Sequence, residues 1–263
     1  MIPYWNFRLG TFAGVDVHLF LVMVVLGVVL GDRITVRQAK KRGLAEGDAK
    51  YLNYWLVVGG FICAHLVSLI FYFPDRIREN PWVLLYVWAG LSSFGGFLGA
   101  TLAFWWTTRR MGTSRLIYAD SVALGLAPAW VLGRLGCFAA HDHPGLRSGF
   151  FLAVRYPEGS RHDLGLYEAL LTAVLTVVLY RYAKRPRPAG FLIALTCTLY
   201  APVRFGLDFL RATDVEHADP RYAGLTAAQW ACLACFALGC LLLFRLRGKA
   251  SYSASTAGTS TAA

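Results

Sequence analysis

Residues 117–145 read IYADSVALGLAPAWVLGRLGCFAAHDHPG. From Ile117 to Ala139 the run is small and apolar, and it reaches the roughly 20 residues that cross a hydrocarbon core. Yet Arg134 lies near its end, and His141, Asp142 and His143 follow at once. An arginine at a bilayer centre costs about 2.5–3.5 kcal/mol even on the lenient insertion scale. A spanning helix that carries one usually turns it towards a bundle interior or a watery cavity. The stretch therefore predicts a membrane helix that delivers polar groups to one of its ends.

Six further apolar segments surround it: Val15–Gly31, Leu52–Phe73, Pro81–Trp106, Leu166–Tyr182, Gly190–Leu210 and Leu225–Leu246. The chain is 57% hydrophobic and 16% charged, against about 45–50% and 25% in soluble domains. The fold class that follows is an all-α integral membrane protein, a bundle of about seven transmembrane helices with a small outer-side loop region between helices 4 and 5. One membrane domain is expected over residues 1–248. Residues 249–263, ending in SYSASTAGTSTAA, are expected to form a disordered cytoplasmic tail. The first segment does not read as a secretory signal, because its basic cluster follows the apolar run.

A formal charge of +11 invites a nucleic-acid reading, and its distribution removes it. Sixteen Lys and Arg residues follow segments one, three, five and seven, while eight lie on the opposite side. The positive-inside rule puts the first group in the cytoplasm, with the N-terminus outside and the C-terminus inside. The six cysteines, Cys63, Cys137, Cys197, Cys232, Cys235 and Cys240, all fall in apolar segments, where cysteine behaves as a small hydrophobe. Cys232 and Cys235 form a C-x-x-C without a second ligand pair.

With this orientation the intramembrane polar residues gather in one outer layer. His65 falls in the outer half of segment two, Arg134 near the outer end of segment four, and Arg204 and Asp208 at that of segment six. Asp16, His18, Tyr167, Glu168 and Gln229 begin the segments that run inward. The connection after segment four adds His141, Asp142, His143, Arg161, His162 and Asp163. Arg204, Asp208 and Arg211 are spaced i, i+4, i+7 and share a helix face. Two guanidiniums suit a phosphate, since each planar fork binds two oxygens. The layer thus describes an anion site in the outer half of a helical bundle.

Plainer readings stand beside this one. Arg134 and Arg204 lie near helix ends, where arginine snorkels to the interface. Arg204 and Asp208 suit a structural ion pair, His65 a hydrogen-bonded core histidine, and Asp16, His18 and Gln229 an interfacial position. His141, Asp142 and His143 with Cys137 make a weak metal signal, an H-x-H in a loop. The glycines and serines of GLSSFGGFLGA (residues 90–100) permit close helix contact or approach of a ligand to the backbone. A small-anion transporter would use the same arginines, although no internal repeat joins the two halves.

The ordered motifs resemble those of the prolipoprotein diacylglyceryl transferase family across nearly the whole membrane domain. GRLGCFAAHDHPG is similar to the family pattern G-R-[LI]-G-N-F-x-N-x-E-x-x-G, carrying over Arg134, Asp142 and Gly145. RHDLGLYEALL resembles R-H-P-S-Q-L-Y-E, covering Arg161, His162, Tyr167 and Glu168. RFGLDFLR resembles R-x-x-x-E-x-x-R at Arg204, Asp208 and Arg211, and Gln229 matches a glutamine at the start of the last helix. The chain departs from the pattern at Phe94, where the family's H-G-G has histidine, and at Cys137 and Ala140, where its signature has asparagines. Phe20 stands for a tyrosine, His65 for an arginine, and both motif acids are shortened to aspartate.

The resemblance implies transfer of a diacylglyceryl group from phosphatidylglycerol to the lipobox cysteine of an exported prolipoprotein, at the bacterial cytoplasmic (inner) membrane. Arg134 and Arg204 would clamp the phosphate, and Asp208 would orient Arg204. His141 or His143, beside Asp142, would take the thiol proton. His65, Gly145, Arg161, His162, Tyr167 and Glu168 would line the lipid site. No cofactor or metal is implied. A phospholipid-binding paralogue without turnover is the alternative.

Overall fold

The computed structural model describes residues 1–5, 8–12, 15–86, 91–112, 114–215 and 220–249. Its helices, in chain order, are α1 (Leu19–Lys41), α2 (Glu46–Val67), α3 (Pro74–Glu79), α4 (Ser93–Met111), α5 (Arg115–Ala140), α6 (Leu164–Ala183), α7 (Phe191–Leu207) and α8 (Ala227–Arg245). The short strands are β1 (Ile2–Pro3), β2 (Arg8–Phe12), β3 (Val15–His18), β4 (Pro144–Arg147), β5 (Val154–Tyr156), β6 (Gly159–Asp163), β7 (Arg221–Tyr222) and β8 (Leu225–Thr226). The protein is mostly helical, as an all-α membrane protein should be.

Six helical spans have both the length and the apolar composition to cross a bilayer among the described residues, and the 19-residue α4 adds a seventh long helix. The six are α1, α2 extended to Phe71 by a π-type turn, α5, α6, α7 extended to Leu210 by a 3-10 turn, and α8. The apolar segment Pro81–Trp106 is the source of that seventh helix. It opens with a 3-10 turn at Pro81–Leu85, and its helical part, α4, runs on through Thr107, Thr108, Arg109 and Arg110. Those last residues dilute its apolar character.

The chain divides into two compact units, Met1–Gln38 with Ala119–Ala263, and Ala39–Tyr118. In the second unit α2 and α4 pack backbone to backbone. A Cβ on Gly99 would sit 2.2 Å from the Gly59 carbonyl oxygen, and one on Gly95 2.6 Å from that of Cys63. Gly95 and Gly99 therefore serve helix packing here. His65 also belongs to this unit: it is buried, and its Nε2 lies 3.2 Å from the Val83 carbonyl oxygen.

In the first unit Leu124 and Ala127 of α5, Leu175 and Leu179 of α6, and Leu192 of α7 form a buried core. Helix α6 shows why the polar residues turn inward. Glu168, Thr172, Leu175 and Leu179 line its buried face, while Leu170, Val174 and Val177 are exposed and suit lipid. Asp120 of α5 accepts the backbone N–H groups of Gly190 and Ile193, each at 2.9 Å, and so caps α7 from a neighbouring helix.

The loop region expected between helices 4 and 5 is a small sheet between α5 and α6, with strand order β1-β5-β6-β4. Strands β4 and β6 pair antiparallel, as do β5 and β6, and β1 joins β5 in parallel. Residues 250–263, most of the expected tail, lie outside the described residues, as does the side chain of Asp16.

Candidate active site

Arg134, Glu168, Arg204, Asp208 and Arg211 meet in the first unit. Glu168 sits between two guanidiniums: Arg134 Nε lies 2.8 Å from its Oε2, and Arg204 Nε 2.9 Å from its Oε1. Tyr200 donates its hydroxyl to Oε2 at 3.2 Å. One turn on, Arg204 Nη1 donates to Asp208 Oδ1 at 2.7 Å, and Arg211 Nε donates to the same oxygen at 3.0 Å. Thr226 donates its hydroxyl to the other oxygen, Asp208 Oδ2. All four of Arg134, Glu168, Arg204 and Asp208 are buried, so neither arginine snorkels. Three guanidiniums surround two carboxylates here.

Arg134 holds its partner loosely. Its Nε is close to Glu168, but the N–H direction makes no hydrogen bond, and its Nη1 reaches only the Cys137 sulfur at 3.9 Å. The guanidinium lies over the Trp130 ring, 4.8 Å from its centroid. Its donors remain poorly spent, which suits an incoming anion. Gln229, expected at an interface, is fully buried and completes a capping box with Thr226 at the start of α8, while its Nε2 donates to the Phe205 carbonyl at 3.3 Å.

The two histidines after α5 part company. His141 has a left-handed backbone (φ 52°) and is buried. Its Nδ1 faces Asp163 Oδ2 and its Nε2 the Trp5 carbonyl oxygen, both at 3.1 Å, and its ring stacks on Tyr4. With both ring nitrogens turned to these oxygens, neither is directed at a substrate thiol. Asp163 also caps α6 through Oδ1 and accepts from the Tyr156 hydroxyl at 2.8 Å. His141 thus ties the sheet to α6. His143 instead pairs with Asp142 through Nδ1 at the surface, where Asp142 is 41% exposed and His143 18%. A Cys137 sulfur, an Asp142 carboxylate oxygen and a His143 ring nitrogen all lie within 4.8 Å of one another. The H-x-H signal therefore splits: His143 joins Cys137 and Asp142, and His141 does not.

Of the remaining expected lipid-site residues, all but His65 belong to the same unit as this centre. His162 Nδ1 lies in hydrogen-bond contact with the Tyr167 hydroxyl at 2.7 Å, and burial pushes the His162 pKa down. Arg161 grips Asp214 with two hydrogen bonds, at 2.8 and 2.6 Å, and donates to the Gly145 carbonyl at 3.1 Å. That grip holds the Asp214 carboxyl at about 2. Gly145 lies where β4 bridges to Arg211, and a Cβ there would come within 2.6 Å of the Leu210 carbonyl oxygen. It is a packing glycine. Phe20 packs where α5 carries Gly136, whose added Cβ would meet its ring at 3.2 Å. His65 stands in the other unit, and Phe94 in the first turn of α4.

The sequence reading missed Tyr200, Thr226 and Asp214. Tyr200 had a signal: it precedes Arg204 and Asp208 by four and eight residues, on the same face of α7. Thr226 had a capping-box signal in TAAQ (residues 226–229), but its bond to Asp208, like that of Asp214 to Arg161, is a tertiary contact without a local signature.

The family model for prolipoprotein diacylglyceryl transferase matches residues 8–245. Three curated relatives carry the name phosphatidylglycerol–prolipoprotein diacylglyceryl transferase. That of Nitratidesulfovibrio vulgaris (strain DSM 19637 / Miyazaki F) is 32% identical, over 87% of this chain and 89% of its own length. That of Pseudomonas paraeruginosa is 31% identical over 86% and 88%, and that of Polynucleobacter asymbioticus 31% over 90% and 94%.

Proposed function

Because the chain belongs to the prolipoprotein diacylglyceryl transferase family, we propose that it transfers diacylglyceryl from phosphatidylglycerol to the lipobox cysteine of exported prolipoproteins. The observation that carries this is the buried Arg134–Glu168–Arg204–Asp208 chain, in which two guanidiniums flank one carboxylate and Arg134 Nε makes no hydrogen bond. A phosphodiester monoanion suits those two planar forks. In the reaction, the substrate thiolate forms a bond to the glyceryl carbon. The carbon–oxygen bond to phosphate breaks, and the electron pair leaves on the phosphate oxygen as glycerol phosphate. Arg134 and Arg204 hold that growing charge in a low-dielectric site. Asp208 orients Arg204 by its hydrogen bond. His143, paired with Asp142 and partly open to solvent, takes the thiol proton. His141 positions the sheet on α6.

The site faces the outer leaflet of the bacterial inner membrane in this reading, with the N-terminus outside and the C-terminus in the cytoplasm. The basic clusters after alternate apolar segments support that orientation. Phe94, where the family pattern has histidine, favours a second reading, phospholipid binding without turnover. Purified protein, labelled phosphatidylglycerol and a lipobox peptide separate the two. Lipidated peptide is expected, and Arg134→Lys should reduce it at least tenfold while the protein stays folded, because lysine lacks the planar fork. No lipidation by the wild type, with lipid still bound, would establish the second reading instead.

A further inference from the structure

The site departs from the family pattern at Cys137, and that departure coincides with a chemically coherent cluster. Cys137 is in the last turn of α5, and Asp142 and His143 come just after the helix turns over at His141. Their ligand atoms, one sulfur, one oxygen and one nitrogen, lie within 4.8 Å of one another. Zinc-class ions bond sulfur at about 2.3 Å and nitrogen or oxygen at about 2.0–2.2 Å, which at tetrahedral angles separates the ligand atoms by roughly 3.3–3.7 Å. Side-chain rotation of about an ångström closes the set, and both Asp142 and His143 are exposed enough to make it. A thiolate and a carboxylate neutralise a divalent ion, and imidazole adds no charge, so the set balances.

We propose that Cys137, Asp142 and His143 hold one divalent transition-metal ion of the zinc class, with a fourth position open to the substrate thiol. Three protein ligands and an open position are the arrangement of catalytic rather than structural sites. His141 plays no part, since both of its nitrogens face other acceptors. The proposal rests on the transferase reading above and changes one of its steps. The incoming thiol binds the ion and releases its proton to solvent, because a coordinated thiol is deprotonated outright. The resulting thiolate sits beside Arg134, whose Nη1 is 3.9 Å from the Cys137 sulfur, so nucleophile and phosphate clamp adjoin. His143 then acts as a ligand and not as a free base.

The test uses the full-length protein in detergent, stripped with chelator and titrated with Co²⁺ alone, then Zn²⁺. One cobalt per chain is expected, with a near-ultraviolet thiolate-to-cobalt charge-transfer band and intense visible bands of a tetrahedral ion; zinc abolishes both. Cys137→Ser should remove the charge-transfer band, and Asp142→Asn or His143→Gln should weaken binding at least tenfold. Cys240→Ser, at an exposed cysteine elsewhere, should leave the spectrum intact. Absence of a cobalt band, or a band that survives Cys137→Ser, overturns the site. Full lipidation by the chelator-stripped protein overturns the thiol-activating role while the transferase reading stands. A cobalt spectrum as described, with no lipidation under any condition, upholds the metal site and fails the transferase reading.

Discussion

Glu168→Gln isolates the charge at the centre of the site. Glutamine keeps an oxygen for the Tyr200 hydroxyl and fills the same volume, but it removes the anion shared by Arg134 and Arg204. The Arg134 and Glu168 side chains are 5% and 1% exposed, so water cannot replace the lost partner. Breaking a buried pair by removing one side costs about 3–5 kcal/mol. At about 2–4 °C per kcal/mol for a chain of this size, the melting temperature in neutral detergent should fall by about 6 °C or more. The same change adds one net positive charge to the site, and an anionic lipid then gains. Two unit charges about 4 Å apart at an effective dielectric constant near 20 interact by about 4 kcal/mol. A third of that is about tenfold in affinity. Phosphatidylglycerol in mixed micelles should therefore stabilise the variant more than the wild type, and phosphatidylcholine neither. Thermal unfolding against lipid fraction measures both. An unchanged melting temperature, or equal rescue by the two lipids, refutes the charge argument.

Three further outcomes follow from the same geometry. Gly145→Ala forces a Cβ to within 2.6 Å of the Leu210 carbonyl and 2.7 Å of the His162 side chain, so thermal unfolding should show a loss of about 1–3 kcal/mol; wild-type stability would mean that β4 is not held there. Burial depresses the pKa of His162, so its neutral form contributes stability that is fully present above about pH 6.5 and is lost as the pH falls through the lower folded value. Wild-type melting temperature should drop on acidification from pH 7 to 5, and His162→Gln should flatten that slope; parallel curves would sever the link. Labelling of single cysteines from outside should reach position 148 and miss position 45, and the reverse pattern would invert the orientation.

What the sequence determined by itself is the membrane class and the membership of the buried charged cluster. Long apolar runs admit few alternatives to helices when no water is present to satisfy the backbone, and polar residues in such runs must converge to be tolerated. Arg134, Glu168, Arg204, Asp208 and Arg211 could be gathered on that ground, and the structure joins them. The segment Pro81–Trp106 shows the limit. Its composition alone does not reveal that Pro81 opens a short 3-10 turn or that α4 starts at Ser93. The histidines show it more sharply. His141 and His143 are equivalent in HDH, and only the left-handed turn at His141 sends one ring to Asp163 and Trp5 and the other to Asp142 and Cys137. Asp120 is the same lesson in reverse: an acid in an apolar run, it caps a helix some 70 residues away. Spacing along one helix is local and legible, whereas a partner supplied by another element is fixed only when the chain has packed.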